Sequence, residues 1–460
     1  MSVDVSDIIA GQKAFFASGS TRPLTWRVAA LKKLRDALYS EEAIFLEALK
    51  QDLGKPPAEA WSSEIGFVVR EIDHALKHLS AWTRPRKVRP PLLFFPSNSR
   101  IVPEPKGVVL VIAPWNYPLQ LLLAPLVGSI AAGNCAVLKP SELAAETSRA
   151  LAAVIGRRFD PCEVSVAEGG ADTAAELLAQ EFDHVFFTGS ARVGRIVMAA
   201  AAKKLTPVTL ELGGKNPCIV DRDVDVAVAA RRIAWGKYIN AGQTCVAPDY
   251  LLVPPGLKKP VIDGLRRAIG EFYGADPRRS ADYARIVNDG HFSRLADLLG
   301  EGKIVIGGGT DRSKRYVAPT VIDAISWKSR IMEEEIFGPI LPVLEYDGID
   351  RAIAEVNARP RPLALYFFSR DKWNQERMVR ETSSGGVCVN DTILQILISA
   401  LPFGGVGPSG MGSYHGKASF DTFTHHKSVM VRSFRPDFRQ RYPPYRASLS
   451  VLKNITRWLE

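Results

Sequence analysis

The stretch Gly107-Val108-Val109-Leu110-Val111-Ile112-Ala113 is an unbroken apolar run rich in β-branched residues. A helical pattern follows over residues 122–132, and a second apolar run follows at Ala136-Val137-Leu138-Lys139-Pro140. Continuous apolar strands that are separated by helices are typical of a parallel sheet with helices on both faces. The sequence therefore predicts an α/β fold.

The alternation continues to a glycine turn. His184-Val185-Phe186-Phe187 has the pattern of a strand, and Thr188-Gly189-Ser190-Ala191-Arg192-Val193-Gly194 leads from it into an alanine-rich helix. A strand, a glycine turn and a helix N-terminus can hold a dinucleotide pyrophosphate, because the first helix amides are free. The spacing of Gly189 and Gly194 misses the Gly-x-Gly-x-x-Gly fingerprint, so a purely structural turn stays open at this point.

Polar and aromatic residues follow several predicted strands. Trp115-Asn116-Tyr117 follows the first strand, and Lys139-Pro140-Ser141-Glu142 follows the second. Glu335-Ile336-Phe337 offers another carboxylate beside an aromatic ring. Ligands of open α/β sheets bind at the carboxyl ends of the strands. Each segment alone also fits a turn, a helix cap or a surface charge, and it is their joint occurrence that indicates a ligand site.

Two further segments offer a nucleophile and a base. Asn240-Ala241-Gly242-Gln243-Thr244-Cys245 presents a thiol in a loop of small residues, and Glu211-Leu212-Gly213-Gly214-Lys215 presents a carboxylate before two glycines. A thiol and a base together are suited to acyl transfer. The four other cysteines are interpreted as packing residues, since their scattered positions indicate neither a disulfide framework nor a zinc site. We therefore expect no metal and a reduced, cytoplasmic compartment.

Length and charge limit the remaining possibilities. A chain of 460 residues exceeds one hydrophobic core, so two or three domains are expected. No signal peptide is visible, and the longest apolar stretch, residues 119–133, is too short to cross a bilayer, which takes roughly 20 residues. The formal charge of +10 is expected to lie on a solvated surface biased toward the C-terminal tail. No nucleic-acid-binding module accompanies the charge, so nucleic acid is not an expected partner.

Taken together, the motifs resemble those of the aldehyde dehydrogenases, and within that superfamily the chain is similar to the class 3 branch, which acts on fatty or aromatic aldehydes. The resemblance runs nearly end to end. Its motifs are Thr21-Arg22-Pro23-Leu24, Trp115-Asn116-Tyr117-Pro118, Leu138-Lys139-Pro140-Ser141-Glu142, Leu210-Glu211-Leu212-Gly213-Gly214-Lys215, Gly242-Gln243-Thr244-Cys245, Glu334-Glu335-Ile336-Phe337-Gly338-Pro339 and Leu401-Pro402-Phe403-Gly404-Gly405-Val406-Gly407.

This resemblance implies a Rossmann-type cofactor domain, an α/β catalytic domain and a small β oligomerisation arm. The cofactor domain would comprise residues 1–82 and 106–210, and the catalytic domain residues 211–395. The arm would comprise residues 83–105 and 396–435, and residues 436–460 would form a tail. The short N-terminus is similar to that of the dimeric members, so a homodimer is expected.

The resemblance also implies catalytic roles. Cys245 would attack the aldehyde carbonyl and pass through a thiohemiacetal and a thioester. The Asn116 side chain and the Cys245 backbone amide would form the oxyanion hole. Glu211 would be the general base that activates water to hydrolyse the thioester, giving the carboxylic acid.

For the cofactor, the resemblance implies three groups of contacts. Lys139 and Glu142 would bind the adenosine ribose, Ser190 in the Gly189–Gly194 turn and Trp115 would lie near the pyrophosphate, and Glu335 and Phe337 would bind the nicotinamide ribose. Glu142 would repel a 2′-phosphate, which favours NAD. Relatives with the same Lys-Pro-Ser-Glu segment often accept both cofactors, so NADP stays open.

Two departures from the class 3 pattern bear on the substrate, which is expected to be a medium-chain, long-chain or aromatic aldehyde. Gln395 stands where some relatives carry histidine, and Phe67 where some carry tyrosine. Three other functions are alternatives to this interpretation. A CoA-acylating aldehyde dehydrogenase typically lacks a base at the position of Glu211. A catalytically silent structural or binding relative would have lost Cys245, Glu211 or Asn116, and a thioesterase-like hydrolase would need no dinucleotide.

The tail carries a final prediction. Over residues 447–460 the apolar residues fall near one helical face with basic residues at its border; the apolar ones are Leu449, Leu452, Ile455, Trp458 and Leu459, and the basic ones are Arg446, Lys453 and Arg457. Such a helix either packs on its own subunit or its dimer partner, or lies on a membrane surface. The predicted location is cytoplasmic. If the tail helix does not pack on the protein, it is predicted to make a peripheral contact with a membrane.

Overall fold

The computed structural model describes residues 5–91, 94–437, 439–445 and 448–457. The α-helices are α1 (Val5–Ala17), α2 (Leu24–Ser40), α3 (Glu42–Leu53), α4 (Pro57–Ala60), α5 (Gly66–Trp82), α6 (Gln120–Ala132), α7 (Ala145–Arg158), α8 (Ala171–Ala179), α9 (Ala191–Ala202), α10 (Val226–Tyr238), α11 (Pro255–Tyr273), α12 (Asp289–Leu298), α13 (Ile349–Asn357), α14 (Lys372–Glu381), α15 (Gly416–Thr422) and α16 (Leu449–Arg457).

The strands are β1 (Arg86–Val88), β2 (Ser97–Pro105), β3 (Val108–Ile112), β4 (Cys135–Lys139), β5 (Val164–Val166), β6 (His184–Gly189), β7 (Val208–Leu212), β8 (Pro217–Val220), β9 (Tyr250–Val253), β10 (Lys303–Ile306), β11 (Thr310–Asp311), β12 (Tyr316–Val317), β13 (Thr320–Asp323), β14 (Ile340–Glu345), β15 (Ala364–Phe368), β16 (Gly386–Val389), β17 (Gly410–Met411) and β18 (Thr424–Arg432).

A six-stranded sheet contains the apolar run Val108–Ile112 as β3. Its order is β17-β7-β6-β3-β4-β5, parallel from β7 to β5, with β17 antiparallel at one edge. Every residue of β3 and β4 is buried, and so is every residue of the apolar helix α6. The predicted α/β fold with a parallel sheet is confirmed.

A seven-stranded sheet follows in the chain. Its order is β10-β13-β14-β9-β8-β15-β16, and all neighbours are parallel except the β10–β13 pair. The loop with Cys245 lies between α10 and β9 of this sheet. The predicted base, Glu211, lies in β7 of the other sheet. The candidate site is therefore assembled between two separate α/β units.

A third, smaller sheet is antiparallel and has the order β1-β2-β18, with nine residues of β2 paired to β18. It joins residues 86–88 and 97–105 to residues 424–432, and the resemblance places all three ranges in the arm. The range 396–435 also contributes elsewhere, because β17 joins the six-stranded sheet and α15 packs on α6, where Gly128 leaves room for Ser419. The domain boundaries themselves stay a prediction.

The structure describes part of the predicted tail helix. Helix α16 spans Leu449–Arg457, with Leu449 and Val451 exposed. Arg446, Ala447 and residues 458–460, on which part of the amphipathic prediction depends, lie outside the described residues. Within the described part of the chain, every helix is too short or too polar to cross a membrane.

Candidate active site

Glu211 is held rigidly inside the protein by its strand. It pairs with Thr188 of β6 on one side and with Gly410 of β17 on the other. The side chain is 2% exposed, and neither carboxylate oxygen has a hydrogen-bond partner. Burial raises the pKa of Glu211 well above its usual range. A buried carboxyl group with no structural partner and a raised pKa is suited to take up a proton during a reaction.

The two glycines after this strand accommodate a second carboxylate. A Cβ at Gly213 would lie 1.9 Å from Oε2 of Glu335, so a side chain there would displace that carboxylate. Burial and the nearby Asp249 raise the pKa of Glu335 to about 8, and the Gly214 backbone N–H opposes the rise by donating to it. Oε1 of Glu335 is buried without a partner. The Glu-Leu-Gly-Gly motif thus brings Glu335 into the region of Glu211.

The loop before Cys245 is tightly constrained. Asn240 and Ala241 both have φ of 51°, in the left-handed region that non-glycine residues seldom adopt. A Cβ at Gly242 would lie 2.3 Å from the carbonyl oxygen of Gly338, so only glycine fits. Nonstandard backbone held by its surroundings is frequent at functional sites. This loop therefore presents Cys245 from a fixed frame.

Cys245 is a neutral thiol in this environment. Burial, together with the carboxyl groups of Glu335 and Glu211, raises the pKa of Cys245 to about 12, while backbone N–H groups of Cys245 and Val246 lower it by donating to the sulfur. The Asn216 side-chain amide donates to the Cys245 carbonyl at 2.7 Å and fixes the peptide. The thiol must therefore lose a proton before it attacks a carbonyl.

Asn116 meets the same loop. Its Nδ2 donates to the Gln243 carbonyl at 3.0 Å, and its Oδ1 has no partner. A side-chain amide carries two N–H donors, and among the described residues Nδ2 donates to the Gln243 carbonyl alone. The next residue, Tyr117, shares a 2.7 Å hydrogen bond with the hydroxyl of Thr244. The structure therefore brings Asn116, Cys245 and Glu211 to one site.

An apolar cavity of about 210 Å³ opens onto Cys245. Its walls are mostly aromatic and aliphatic, and the lining residues include Phe67, Tyr117, Leu121, Trp235, Ile239, Val246, Ile393, Ile396, Leu397, Phe403, Tyr414 and His415. Phe67, one of the two departures from the class 3 pattern, lines this cavity. Gln395 does not line it, although its neighbour Ile396 does, and its Nε2 lies 3.5 Å from the Tyr366 hydroxyl.

The predicted ribose and pyrophosphate residues form local contacts. Lys139 Nζ donates to Glu142 at 3.0 Å. Ser190 caps α9 by accepting from the Val193 N–H at 3.4 Å. A Cβ at Gly194 would lie 2.7 Å from Leu212, so this glycine lets α9 approach β7. Gly189 is likewise crowded, by the ring of Phe187.

The predicted nicotinamide residues form a second cluster. The rings of Trp115 and Phe337 meet edge to face with centroids 5.3 Å apart, and His291 lies 5.0 Å from Trp115. Among the described residues, no hydrogen bond, ion pair or ring contact joins this cluster to Lys139 or Ser190. An extended dinucleotide needs hydrogen-bond donors and acceptors along its length. The N-terminus of α9, the Lys139–Glu142 pair after β4 and the unpartnered Oε1 of Glu335 fit that requirement.

Some residues at the site carry no signal in the sequence. His415 lines the cavity with both ring nitrogens unpartnered, and burial lowers the pKa of His415 to about 3. Lys55 and Glu64 form a buried ion pair under the Asn116 segment. They lie far from the motifs in the chain, and a lone Lys or Glu in a helical region has no distinguishing pattern.

Comparisons with known proteins agree with this geometry. The model of the "Aldehyde dehydrogenase family" matches residues 2–429. The chain is 48% identical to the 4,4'-diaponeurosporen-aldehyde dehydrogenase of Staphylococcus aureus, over 96% of each chain. It is 47% identical to mouse aldehyde dehydrogenase family 3 member A2, over 93% of this chain and 89% of that one. It is 45% identical to the canine "Aldehyde dehydrogenase, dimeric NADP-preferring", over 97% and 99%.

The fold gives the same result. A solved structure described as the substrate-bound state of Staphylococcus aureus AldH superposes with a TM-score of 0.96 and 47% identity, covering 99% of this chain and 100% of that chain. The similarity to family 3 members confirms the resemblance to the class 3 branch. The chain belongs to the aldehyde dehydrogenase family and is an NAD(P)-dependent enzyme that oxidises an aldehyde to the carboxylic acid.

Proposed function

We propose that Cys245 is the nucleophile, Glu211 the base and Asn116 an oxyanion donor in this oxidation. The observation that carries the proposal is the Glu211 carboxyl group, which is buried, unpartnered and close enough to raise the pKa of the Cys245 thiol. The Cys245 thiol first gives its proton to water, the sulfur anion adds to the aldehyde carbon, and the carbonyl electron pair moves to oxygen. After oxidation the carbon is a thioester on Cys245, which water cleaves when Glu211 takes its proton.

The oxyanion formed in the first step needs donors. The second N–H of Asn116 Nδ2 and the backbone N–H of Cys245 are the candidates, and one such donor is worth about 3 kcal/mol of barrier. Two hydrogen bonds connect the Asn116 segment to the loop before Cys245. Asn116 Nδ2 donates to the Gln243 carbonyl, and the hydroxyl groups of Tyr117 and Thr244 bond to each other. The donors are thus held in place before the substrate arrives.

We propose that two sets of residues hold the cofactor. Lys139, Glu142, Gly189, Ser190 and Gly194 would bind the adenosine ribose and pyrophosphate. The Trp115 ring, the Glu335 carboxylate and the Phe337 ring would bind the nicotinamide ribose. When bound, NAD(P) accepts the hydride that leaves the substrate carbon. Glu142, whose carboxylate accepts from Lys139, can accept from both ribose hydroxyls, which favours NAD over NADP.

The substrate proposed for this site is an apolar aldehyde, of medium or long chain or aromatic. The cavity walls next to Cys245 are aromatic and aliphatic, and Phe67 lacks the hydroxyl that a tyrosine would add there. Apolar surface that leaves water on binding contributes roughly 25 cal/mol per Å². The Staphylococcus aureus relative is named for a 4,4'-diaponeurosporen-aldehyde, and an apolar aldehyde of that kind fits the same preference.

A panel of aldehydes tests this substrate class. Short aliphatic, long aliphatic, aromatic and apocarotenoid aldehydes are compared by kcat/KM, with NAD and with NADP. We expect kcat/KM to rise with apolar surface by at least about tenfold from short to long chains, because each buried CH₂ contributes about 0.8 kcal/mol. Equal or higher kcat/KM for short polar aldehydes would contradict the proposal.

We also propose that the chain forms a homodimer through the arm sheet β1-β2-β18. A canine relative is named dimeric, and the arm exposes large apolar side chains, among them Phe95, Met430 and Val431. Light scattering on the purified protein should give twice the chain mass of 50.4 kDa; a monomer mass at micromolar concentration would contradict the dimer.

Peripheral membrane contact is a further proposal, and the distribution of charge favours it. Residues 83–105 and 424–460 contain thirteen Lys and Arg against three Asp and Glu, so they carry the whole formal charge of +10. Lys87 lies directly opposite Arg100 in the sheet, an arrangement that repels without a counter-anion. Among the described residues of these segments, Lys427 is the one Lys or Arg within ion-pair distance of a carboxylate.

Exposed aromatic residues accompany these charges. Phe434 is fully exposed, and Tyr445 and Leu449 are more than half exposed. Basic and apolar side chains on one surface are typical of proteins that bind anionic lipid, at about 1 kcal/mol per Lys or Arg near the membrane. Such contact would bring the enzyme to the bilayer in which apolar aldehydes dissolve.

Flotation with vesicles tests the membrane contact. Intact protein and a form truncated after Tyr445 are floated with phosphatidylserine-containing vesicles and with neutral vesicles, at low and high salt. We expect recovery of the intact form with anionic vesicles at low salt, reduced by high salt and by truncation, because surface electrostatics are screened. Equal recovery of both forms would mean that α16 packs on the subunit or its partner instead.

A further inference from the structure

Lys55 and Glu64 form an ion pair that is wholly inaccessible to solvent. Lys55 follows α3, and Glu64 lies in the π-helical turn Trp61–Ile65. A buried ion pair is costly unless other groups satisfy its remaining donors and acceptors. The other contacts of the pair therefore indicate what it holds in place.

Lys55 holds the peptide of the proposed oxyanion donor. Its Nζ donates to the Asn116 carbonyl at 2.9 Å and lies 3.9 Å from the centroid of the Tyr117 ring. Together with the Glu64 carboxylate, these contacts give the ammonium group three partners. The Asn116 carbonyl also accepts from Nδ2 of Asn240 at 2.8 Å, on the loop that leads to Cys245.

Glu64 holds the other end of the same segment. Its Oε2 accepts from the backbone N–H groups of Leu119 and Gln120, both at 3.0 Å. Gln120 begins α6, so the carboxylate caps that helix where its partial positive charge is concentrated. The ion pair thus fixes residues 116–120 at both ends.

We propose that Lys55 and Glu64 are positioning residues for the oxyanion hole. They fix residues 116–120, so that Nδ2 of Asn116 keeps its direction toward the oxygen that becomes negative when Cys245 attacks the carbonyl. An error of 1 Å in such a donor can cost about 100-fold in rate. The inference rests on the proposed roles of Asn116 and Cys245.

The test uses the double variant Lys55→Gln/Glu64→Gln in the full chain. Removing both charges together avoids leaving one of them buried and uncompensated, which is the more destabilising change. Asp52→Asn is the matched control. Asp52 is also buried and accepts from the backbone N–H groups of Glu146 and Thr147, at 3.0 and 2.8 Å, so it stabilises α7 in the same way without touching residues 116–120.

Three measurements separate positioning from folding: the single-turnover rate of aldehyde oxidation, the affinity for NAD, and the rate at which iodoacetamide alkylates Cys245, followed on its peptide by mass spectrometry. Alkylation displaces iodide and forms no oxyanion. We expect the double variant to lose at least about tenfold in single-turnover rate, with alkylation and NAD affinity within about twofold. Asp52→Asn should keep all three within about twofold at a comparable loss of melting temperature.

Asn116→Ala provides the reference. Added to Asn116→Ala, the double change should cost less than about threefold more, because the pair acts through Asn116. A folded double variant with a normal single-turnover rate, or one whose alkylation rate falls in parallel, would overturn the inference. If Asn116→Ala itself keeps the normal rate, the proposed role of Asn116 is wrong, which is a separate result.

Discussion

Cys245→Ser should lower aldehyde oxidation at least about 100-fold and leave NAD affinity within about twofold of that of the unchanged enzyme. A serine hydroxyl is far less acidic than a thiol, so the carboxyl groups beside Cys245 are too weak as bases to turn it into a nucleophile. His415 lines the same cavity, but burial lowers its pKa to about 3, so it is too weak to take the proton. The proposed cofactor residues lie on other segments. Initial rates of NADH formation and isothermal titration with NAD measure the two effects.

Cys162→Ser is the matched control, because this half-buried cysteine lies in the connection between α7 and β5, where its backbone N–H donates to Asp160. Its activity should stay within about twofold of normal. If Cys245→Ser keeps more than a few per cent of the normal turnover, Cys245 is not the nucleophile. If Cys162→Ser loses activity as strongly, the loss reflects folding and not chemistry.

The parallel sheet could be predicted from sequence because its strands are buried on both faces. Such strands are continuous apolar runs, as in β3 and β4, and the pattern is visible without any partner. Strand β17 could not be predicted in this way. Gly410 and Met411 have no period to detect, and their pairing with β7 depends on a chain segment that returns from nearly 200 residues away.

The candidate site also has a part that the sequence predicts and a part that it does not. Cys245, Glu211 and Asn116 lie in small-residue or strand-end motifs, so their chemistry is visible locally. The cavity wall is assembled from separate segments, such as Phe67, Trp235 and Ile396, which individually are ordinary apolar residues. The Lys55–Glu64 pair could not be predicted either. Charged residues in a helical region are usually solvent-exposed, and only the folded structure shows that these two are buried together.

Glu211→Gln should separate the two halves of the reaction. The amide has nearly the same size as the carboxyl group and cannot accept a proton from water, whereas attack by Cys245 and oxidation of the carbon do not require that base. We expect a burst of NADH close to one per active site, followed by a steady state at least about 100-fold slower, because the thioester accumulates. Stopped-flow absorbance measures the burst, and intact-protein mass spectrometry should show the acyl group on the enzyme.

The pH profile provides a second readout of the same change. Burial raises the pKa of Glu211 well above the ordinary carboxylic range, so the deprotonated base becomes more abundant as pH rises through that pKa. The steady-state rate of the unchanged enzyme should therefore rise with pH wherever thioester hydrolysis limits it, and Glu211→Gln should lose this rise.

Glu335 is the competing candidate for the base, because burial and Asp249 raise its pKa to about 8 and its carboxyl group also raises the pKa of Cys245. A full burst with slow hydrolysis in Glu335→Gln, together with normal turnover in Glu211→Gln, would transfer the role of base to Glu335.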